Sequence, residues 1–465
     1  MNLRILAVLV TFAGVAMAAP RPNILMIVVD DMGSGDMSAQ GHPWLKTPNF
    51  DRLHGESVRM ADFMVSPTCA PTRAALMTGA HEFRSGVTHT IHGMERMNPE
   101  CVTLPQVLKR AGYATGMFGK WHLGDQDEYV PWKRGFDIGV IAENDAAAAQ
   151  HKPLDPVFLR NGERRPMKGP QDQLFAKEAM AFMGHERDEP FFCYYATYDP
   201  HRGYWAEERF VKEMERQMQA ADERGVLGVS PRRNLFFAEM LQVDWILGEM
   251  MDFLEHQGLS KNTLVLLVTD NGGTDGVDAY NMHMRGHKTT AWLGGTRALA
   301  FWRLPGVLKP GDVTESCAHI DVLPTLAQVA GAELVHPALG QVEGRSAWAL
   351  LTGKDDSWPD RYLHAHVARW APGKRDRHKY EGAMVRRGNY DLVRVKTASM
   401  GRGYTDHPEF HRAASPGGGW GLYDRLADPG QEHDLSAKQP DLAREMSMEF
   451  ERWWKASEPF LIHEK

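Results

Sequence analysis

The chain has 465 residues, of which 43% are hydrophobic and 24% are charged. These proportions are typical of a globular protein and exclude a fibrous or largely disordered chain. The formal net charge of −7 excludes the basic excess of a general nucleic-acid binder, so an anionic substrate requires a local cluster of cations. Four Cys residues are too few for a disulfide framework at this length. The length allows one large domain and a smaller one.

The first residues have the form of a signal peptide. Arg4 supplies a positive charge, residues 5–15 are almost wholly apolar, and residues 16–18 have the small-x-small pattern of a signal-peptidase site. The apolar run is too short to span a bilayer, and no later segment is apolar for long enough. We therefore predict a signal peptide over residues 1–18 and an exported protein, periplasmic or secreted, with no membrane span.

Four continuous apolar runs have the composition of parallel strands that are buried on both faces of a sheet. They are residues 23–29, 114–118, 191–197 and 263–269. Helix-end signals lie between them: Thr103 is placed to cap one helix, and Pro231 to open a long one. This alternation predicts an α/β fold with a large, mostly parallel sheet flanked by helices.

A polar stretch rich in Pro and Gly, residues 355–377, predicts a boundary in the last quarter of the chain. Beyond it the sequence shows short alternating runs, a Gly-rich turn at 417–419 and a final helix around 440–454. We expect a large domain over residues 19–355 and a smaller C-terminal α+β subdomain over residues 356–465.

Polar side chains follow each of the four predicted strands. In chain order they are Asp30 and Asp31, then Lys120 and His122, then His201, then Asp270 and Asn271. Each motif alone is a common turn or surface sequence. Because ligands bind at the carboxyl ends of strands in open α/β sheets, we expect the four motifs to converge on one pocket. Three carboxylates and an amide there would suit a hard cation, and Lys and His an anion.

Residues 66–79, SPTCAPTRAALMTG, predict a further helix, since Pro71 suits a first turn and helix formers follow it. Cys69 then lies just before the helix N-terminus, where free N–H groups and the helix dipole favour negative charge. From the residues alone, a small buried hydrophobic side chain is an equally good interpretation of this Cys.

Cys69-x-Pro71-x-Arg73, followed by a helix and a Thr-Gly pair, resembles the signature of the type I sulfatases, whose Cys is converted to formylglycine after translation. The resemblance extends over nearly the whole mature chain. It includes the strand-end motifs above, Lys288 before Gly294-Gly295-Thr296-Arg297, and the elements Leu422-Tyr423-Asp424 and Asp428-Pro429-Gly430-Gln431-Glu432. It implies an alkaline-phosphatase-like catalytic domain with a smaller C-terminal subdomain.

The resemblance also implies a metal site and a nucleophile. One divalent cation, Ca²⁺ with Mg²⁺ as the alternative, would bind to residue 69 and to Asp30, Asp31, Asp270 and Asn271. Residue 69, as hydrated formylglycine, would attack sulfur and expel the alcohol. A separate formylglycine-generating enzyme would be needed as a partner.

The remaining matched residues would hold the reacting groups. Arg73 and Lys120 would polarise the diol of residue 69, and His122 would take the proton from its second hydroxyl group. Lys120, His201 and Lys288 would bind the sulfate oxygens, with His201 or Lys288 protonating the leaving oxygen. The implied substrate is a sulfated small molecule or saccharide.

Some details depart from the family pattern. Thr72 stands where Ser is commoner, Leu293 replaces the usual Glu before the two glycines, and no Ser near the sulfate can be assigned after Gly135-Phe136-Asp137. Two other functions stay open: a metal-dependent phosphatase or phosphonate hydrolase on the same fold, and a binding protein that has lost activity. A disulfide between Cys101 and Cys317 also stays open.

Export favours a substrate too polar to cross a bilayer, and therefore a sulfated sugar over a steroid sulfate. Candidate side chains for the sugar end of the pocket mix aromatic faces with hydrogen-bond donors. They are His89, His92, Trp205, His283 and Arg285. The negative net charge favours a pocket for one terminal sulfated residue over a groove for a long polyanion.

Overall fold

The structure is a computed structural model that describes residues 21–126, 128–143, 145, 152–222, 231–334, 338–355, 357–396 and 414–464. The predicted signal peptide, residues 1–18, lies outside these ranges. Within them, none of the helices combines the length and the apolar character needed to cross a bilayer.

The described strands are short and lie mostly in one sheet. They are β1 (Asn23–Val29), β2 (Val58–Met60), β3 (Phe63–Met64), β4 (Ala114–Gly119), β5 (Ile138–Ala142), β6 (Val157–Arg160), β7 (Glu163–Pro166), β8 (Phe191–Ala196), β9 (Thr263–Thr269), β10 (Arg297–Ala298), β11 (Ala300–Arg303), β12 (Gly311–Val313), β13 (Cys317–Ala318), β14 (Leu363–His366), β15 (Gly382–Arg387), β16 (Tyr390–Val395) and β17 (Gly421–Asp424).

The described helices alternate with these strands along most of the chain. They are α1 (Pro48–Glu56), α2 (Cys69–Thr78), α3 (Leu104–Arg110), α4 (Gln171–Met183), α5 (Glu208–Asp222), α6 (Pro231–His256), α7 (Leu293–Thr296), α8 (Val322–Ala330), α9 (Ala338–Gln341), α10 (Trp348–Leu351) and α11 (Pro440–Ser457).

A ten-stranded sheet has the order β12-β2-β11-β9-β1-β8-β4-β5-β6-β7. The five central strands, β9-β1-β8-β4-β5, are parallel, which confirms the predicted α/β class. The four predicted strands are the middle of this sheet, and each ends within one residue of its predicted end. At the edges, β11 pairs antiparallel with β9 and β2, and β6 with β5 and β7.

Helices cover both faces of this sheet, and alternate side chains of β1 enter two separate cores. Leu25, Ile27 and Val29 pack on one face with helices that include α4 and α6. Ile24, Met26 and Val28 pack on the other face with α2, α3 and α8. The predicted apolar face of α6 is buried, as shown by Phe237, Met240, Val243, Leu247, Met250 and Leu254. Burial on both sides explains why the central strands are apolar throughout.

The C-terminal part of the chain forms a second sheet, with the antiparallel order β14-β15-β16-β17. Its first strand, β14, lies inside the polar stretch 355–377, which is therefore not a simple linker. Helix α11 packs on β15, with Met446, Phe450 and Trp454 in the apolar cluster between them. Phe83, from the segment after α2, is buried in the same cluster.

A buried network of ion pairs also joins the C-terminal sheet to the segment between β2 and β3. Asp62, next to β3, accepts a hydrogen bond from Arg386 Nη1 at 3.2 Å and forms an ion pair with Arg425 Nη2. Arg386 in turn donates to both carboxylate oxygens of Asp391, at 2.8 and 3.0 Å. We call these four residues the Asp62 network. All four Cys residues are free thiols, so Cys101 and Cys317 are unpaired here.

Candidate active site

The carboxyl ends of β1, β4 and β9 bring three acidic and basic motifs together. Asp30, Asp270 and Lys120 are each 0% exposed. Lys120 Nζ pairs with Asp30 Oδ2. Arg73, one turn into α2, donates from Nε to Asp270 Oδ2 at 2.9 Å and from Nη1 to the Lys120 carbonyl oxygen at 2.7 Å. The strand ends and helix α2 therefore meet at one buried site.

Asp31 lies beside this group and connects it to two more predicted residues. Its backbone has a φ of 61°, in the left-handed region that non-glycine residues rarely adopt. Asp31 Oδ1 accepts from Asn271 Nδ2 at 3.1 Å and pairs with Lys288 Nζ. His201 Nε2 lies 3.9 Å from Asp31 Oδ2. Every residue predicted for the site is thus part of one contiguous cluster.

Cys69 is the first residue of α2, and its side chain faces His122. Cys69 Sγ lies 3.4 Å from His122 Nδ1. His122 Nε2 lies 3.3 Å from the Thr90 carbonyl oxygen, which can only accept. Nε2 therefore carries the proton in this arrangement, and the lone pair of Nδ1 is directed at residue 69.

The oxygen atoms at the site fit a divalent cation. Asp30 Oδ1, Asp31 Oδ2 and Asn271 Oδ1 are buried and have no hydrogen-bond partner among the described residues. Buried polar atoms without partners are costly unless a ligand satisfies them. Ligand atoms of Asp30, Cys69 and Asp270 all lie within 4.8 Å of one another. Oxygen-rich sets of this kind suit Ca²⁺ or Mg²⁺.

The pKa shifts of the carboxylates also fit a bound cation. Burial and the neighbouring charge of Asp30 hold the pKa of Asp270 well above its usual range. Burial also opposes ionisation of Asp30, but Lys120, His201 and Arg73 together hold the pKa of Asp30 below its usual range. A cation among these carboxylates would favour their charged forms and offset their mutual repulsion.

Asp145 positions the loop after β4, and nothing in the sequence singled it out. Its carboxylate accepts from the backbone N–H of Trp121 at 2.9 Å and of His122 at 2.6 Å, and from the hydroxyl of Tyr198. His122 has a φ of 58°, so these bonds hold an unfavourable backbone conformation in place. One Asp next to a run of Ala has no spacing that would reveal this role.

Two glycine turns pack backbone to backbone next to the predicted metal ligands Asp270 and Asn271. A Cβ on Gly272 would lie 1.9 Å from the Gly294 carbonyl oxygen, so a side chain there is excluded. Leu293, in the position of the usual Glu, is buried, and its N–H donates to Gln431 Oε1 at 2.8 Å. The matched C-terminal motif that contains Gln431 therefore supports the wall of the site.

The five side chains predicted for the sugar end differ in placement. Arg285 stacks on Trp292, with 3.8 Å from its guanidinium carbon to the ring centre, and donates to the Gln431 carbonyl oxygen at 3.0 Å. His283 and His92 are exposed, Trp205 is half-buried, and His89 is buried against Trp370. Arg285 therefore joins two parts of the fold, and the two exposed His residues are open to solvent.

Comparison with known proteins identifies the family. The Sulfatase family model matches residues 22–332. Arylsulfatase A of Homo sapiens is 32% identical over 472 residues, covering 91% of this chain and 85% of that protein. The chain belongs to the sulfatase family. The sulfatase is therefore a sulfuric ester hydrolase.

Two further similarities cover most of this sulfatase. The N-acetylgalactosamine-6-O-sulfatase of Bacteroides thetaiotaomicron is 26% identical, and the match covers 92% of this chain and 92% of that protein. The crystal structure of Ps i-CgsB in complex with k-i-k-neocarrahexaose superposes with a TM-score of 0.78 at 22% identity, covering 93% of this chain and 92% of that one. The expected alkaline-phosphatase-like sulfatase fold is confirmed.

Proposed function

We propose that this sulfatase releases inorganic sulfate from a saccharide, using a formylglycine formed from Cys69. The position of Cys69 carries the proposal: its thiol begins α2, lies 3.4 Å from His122 Nδ1 and is within 4.8 Å of ligand atoms of Asp30 and Asp270. An oxygen nucleophile at this position would be next to a base and to the helix N-terminus.

His122 acts as the base towards residue 69. Burial and the charge of Lys120 lower the pKa of His122 to about 4, so the ring is neutral near pH 7. Its Nε2 proton is engaged by the Thr90 carbonyl oxygen, which leaves the Nδ1 lone pair to accept the proton of a hydroxyl group on residue 69.

Residue 69 and the oxygens of Asp30, Asp31, Asp270 and Asn271 would hold one Ca²⁺, with Mg²⁺ as the alternative. The fit rests on the three buried oxygens that have no hydrogen-bond partner among the described residues. A cation bound there supplies electrostatic stabilisation of negative charge on the reacting oxygens.

Lys120, His201 and Lys288 bind the sulfate group in this proposal. Lys120 and Lys288 contact Asp30 and Asp31, which places both ammonium groups at the edge of the carboxylate cluster. Arg73 is held by Asp270 and, with Lys120, fixes the nucleophile. His201 or Lys288 protonates the leaving oxygen, because both carry N–H donors next to Asp31.

Two similar proteins support a saccharide as the substrate. The relative from Bacteroides thetaiotaomicron is named for a sulfated amino sugar, and the solved structure of Ps i-CgsB holds an oligosaccharide. The predicted signal peptide, residues 1–18, supports a location outside the cytoplasm, in the periplasm or the medium, where polar saccharides are accessible. A formylglycine-generating enzyme is the required partner.

Mass spectrometry of the peptide that contains residue 69 tests the nucleophile directly. We expect the mass of an aldehyde in place of the thiol, and essentially complete loss of sulfate release in Cys69→Ala with folding retained. Cys101→Ala, which removes a buried thiol away from the site, is the matched control and should keep wild-type turnover. Wild-type turnover in Cys69→Ala would overturn the mechanism.

Release of free sulfate from sulfated mono- and oligosaccharides, measured beside aryl and steroid sulfates, tests the substrate class. We expect at least one saccharide to be the best substrate by kcat/KM. Efficient turnover of a small aryl sulfate with no release from any saccharide would refute the saccharide and leave the sulfatase activity intact.

A further inference from the structure

We infer that the active site contains a binding subsite for a second anionic group of the substrate, formed by Arg369 and Thr90, with the neutral ring of His89 beside them. The inference deepens the proposed function and rests on it: the substrate is a saccharide that carries a carboxylate or a second sulfate besides the sulfate that is removed. The three residues come from the loop after α2 and from the segment after β14.

Arg369 is an exposed guanidinium beside the catalytic cluster. Its Nη2 donates to Thr90 Oγ1 at 3.0 Å, and no carboxylate among the described residues forms an ion pair with it. Arg202, which follows His201, differs in this respect because its guanidinium pairs with Asp275 at 3.2 Å. Arg369 therefore keeps donors available for an incoming anion, whereas the charge of Arg202 is already balanced.

Thr90 connects this guanidinium to the base. The Thr90 side-chain hydroxyl accepts from Arg369, and the Thr90 carbonyl oxygen accepts from His122 Nε2 at 3.3 Å. One residue thus holds both groups, so the position of Arg369 relative to the reacting centre is fixed by two hydrogen bonds. A long and exposed arginine would otherwise sample many rotamers, which weakens recognition.

His89 supplies a neutral acceptor next to the cation. Its Nε2 donates to the Trp370 carbonyl oxygen at 3.0 Å, and its buried Nδ1 has no hydrogen-bond partner among the described residues. Burial, with Arg369 and His92 opposing a positive charge on the ring, lowers the pKa of His89 to about 4. His89 is therefore neutral near pH 7, and its Nδ1 suits the hydroxyl group of a sugar.

Glu464 contacts Trp370, the residue after Arg369, but forms no ion pair with Arg369 among the described residues. Glu464 accepts from the indole N–H of Trp370 and from the Gly373 N–H at 2.8 Å, so its oxygens are directed at other donors. A guanidinium binds carboxylate or sulfate with paired, charge-assisted hydrogen bonds. The net charge of −7 repels acidic saccharides, so a local cation such as Arg369 is needed to bind them selectively.

The experiment compares matched substrates with the full-length, matured enzyme. The saccharide series consists of one monosulfated sugar, the same sugar with a second sulfate, and the same sugar with a carboxylate. An aryl sulfate with and without a ring carboxylate forms a second series. The quantity measured is the ratio of kcat/KM for the substrate with two anionic groups to that for its partner with one.

In Arg369→Gln we expect this ratio to fall by about 10–100-fold, the range for losing hydrogen bonds to a charged group. Thr90→Val keeps the carbonyl oxygen for His122 and should give a smaller fall. Arg369→Lys should restore part of the ratio. Arg444→Gln removes an exposed charge on α11, where Arg444 pairs with Asp441 at 3.7 Å, and should leave the ratio unchanged.

An unchanged ratio in Arg369→Gln would overturn the subsite, and so would an equal fall in Arg444→Gln. The carboxylate and second-sulfate arms show which anion is preferred. If the wild type releases sulfate only from the aryl series, the saccharide proposal fails, while the aryl pair still decides whether Arg369 binds a second anion.

Discussion

Two buried clusters of charge in this sulfatase are built in opposite ways. In the Asp62 network, both oxygens of Asp62 and both oxygens of Asp391 are paired with arginine. At the strand ends, Asp30 Oδ1 and Asp31 Oδ2 are equally buried but have no hydrogen-bond partner among the described residues. A satisfied network holds two parts of a fold together, whereas buried oxygens left open are arranged for a ligand.

The largest effect that separates the two clusters is on activity. Asp31→Asn keeps the shape of the side chain but removes a charge from the proposed cation site. We expect sulfate release to fall by about 10³-fold, since several kcal/mol of electrostatic stabilisation are lost. Asp31→Asn weakens the pairing of one cation, Lys288, whereas Asp62→Asn removes the carboxylate shared by two arginines, so the loss of unfolding free energy should be smaller than for Asp62→Asn. Turnover and urea denaturation of both variants measure this difference.

In the Asp62 network, a substitution should lower stability strongly and activity little. Asp62→Asn leaves Arg386 and Arg425 buried without their shared carboxylate, which costs about 3–5 kcal/mol of unfolding free energy. The activity of each folded molecule should remain near that of the wild type. A stable Asp62→Asn protein with poor turnover would show that the network also shapes the site.

Removal of the cation should affect the cluster of Asp30, Asp31 and Asp270 and leave the Asp62 network unchanged. Without the ion, Asp30, Asp31 and Asp270 repel one another, so chelation should lower both activity and thermal stability, and added Ca²⁺ or Mg²⁺ should restore them. At an ion concentration 100 times the dissociation constant, binding adds about 2.7 kcal/mol to the free energy of unfolding. If exhaustive chelation changes neither quantity, the metal site is wrong.

The smallest expected effect is the acid dependence of the Asp62 network. Burial opposes ionisation of Asp62, but Arg386 and Arg425 prevail and lower its pKa from 3.8 to about 2. Its stabilising contribution is therefore complete above about pH 4 and is lost as the pH falls towards 2. The difference in unfolding free energy between wild type and Asp62→Asn should shrink by about 2 kcal/mol over that interval. A difference independent of pH would contradict the assignment.

The central sheet was predictable because its strands are buried on both faces and read as continuous apolar runs. The strands β2, β11 and β12 at one edge of the sheet were not predicted, since they are short and their partners are set by tertiary packing. The convergence of Asp30, Lys120 and Asp270 followed from the rule that strand ends meet at one edge.

Other parts of the site depend on contacts between distant segments. Asp145 positions His122 through backbone hydrogen bonds, and Gln431 supports Leu293 across 138 residues of chain. Thr90 and Arg369 meet only because β14 returns the C-terminal part to the loop after α2. None of these pairs has a spacing or a periodicity that a single sequence can reveal.

The burial of Cys69 has a consequence for the order of events in the life of the chain. In the folded protein this residue is 2% exposed, so a second enzyme cannot reach the thiol once the chain has folded. The proposed oxidation must therefore precede folding, while the emerging segment around Cys69 is still extended. Protein refolded with an unconverted Cys69 should stay inactive when the maturation enzyme is added afterwards.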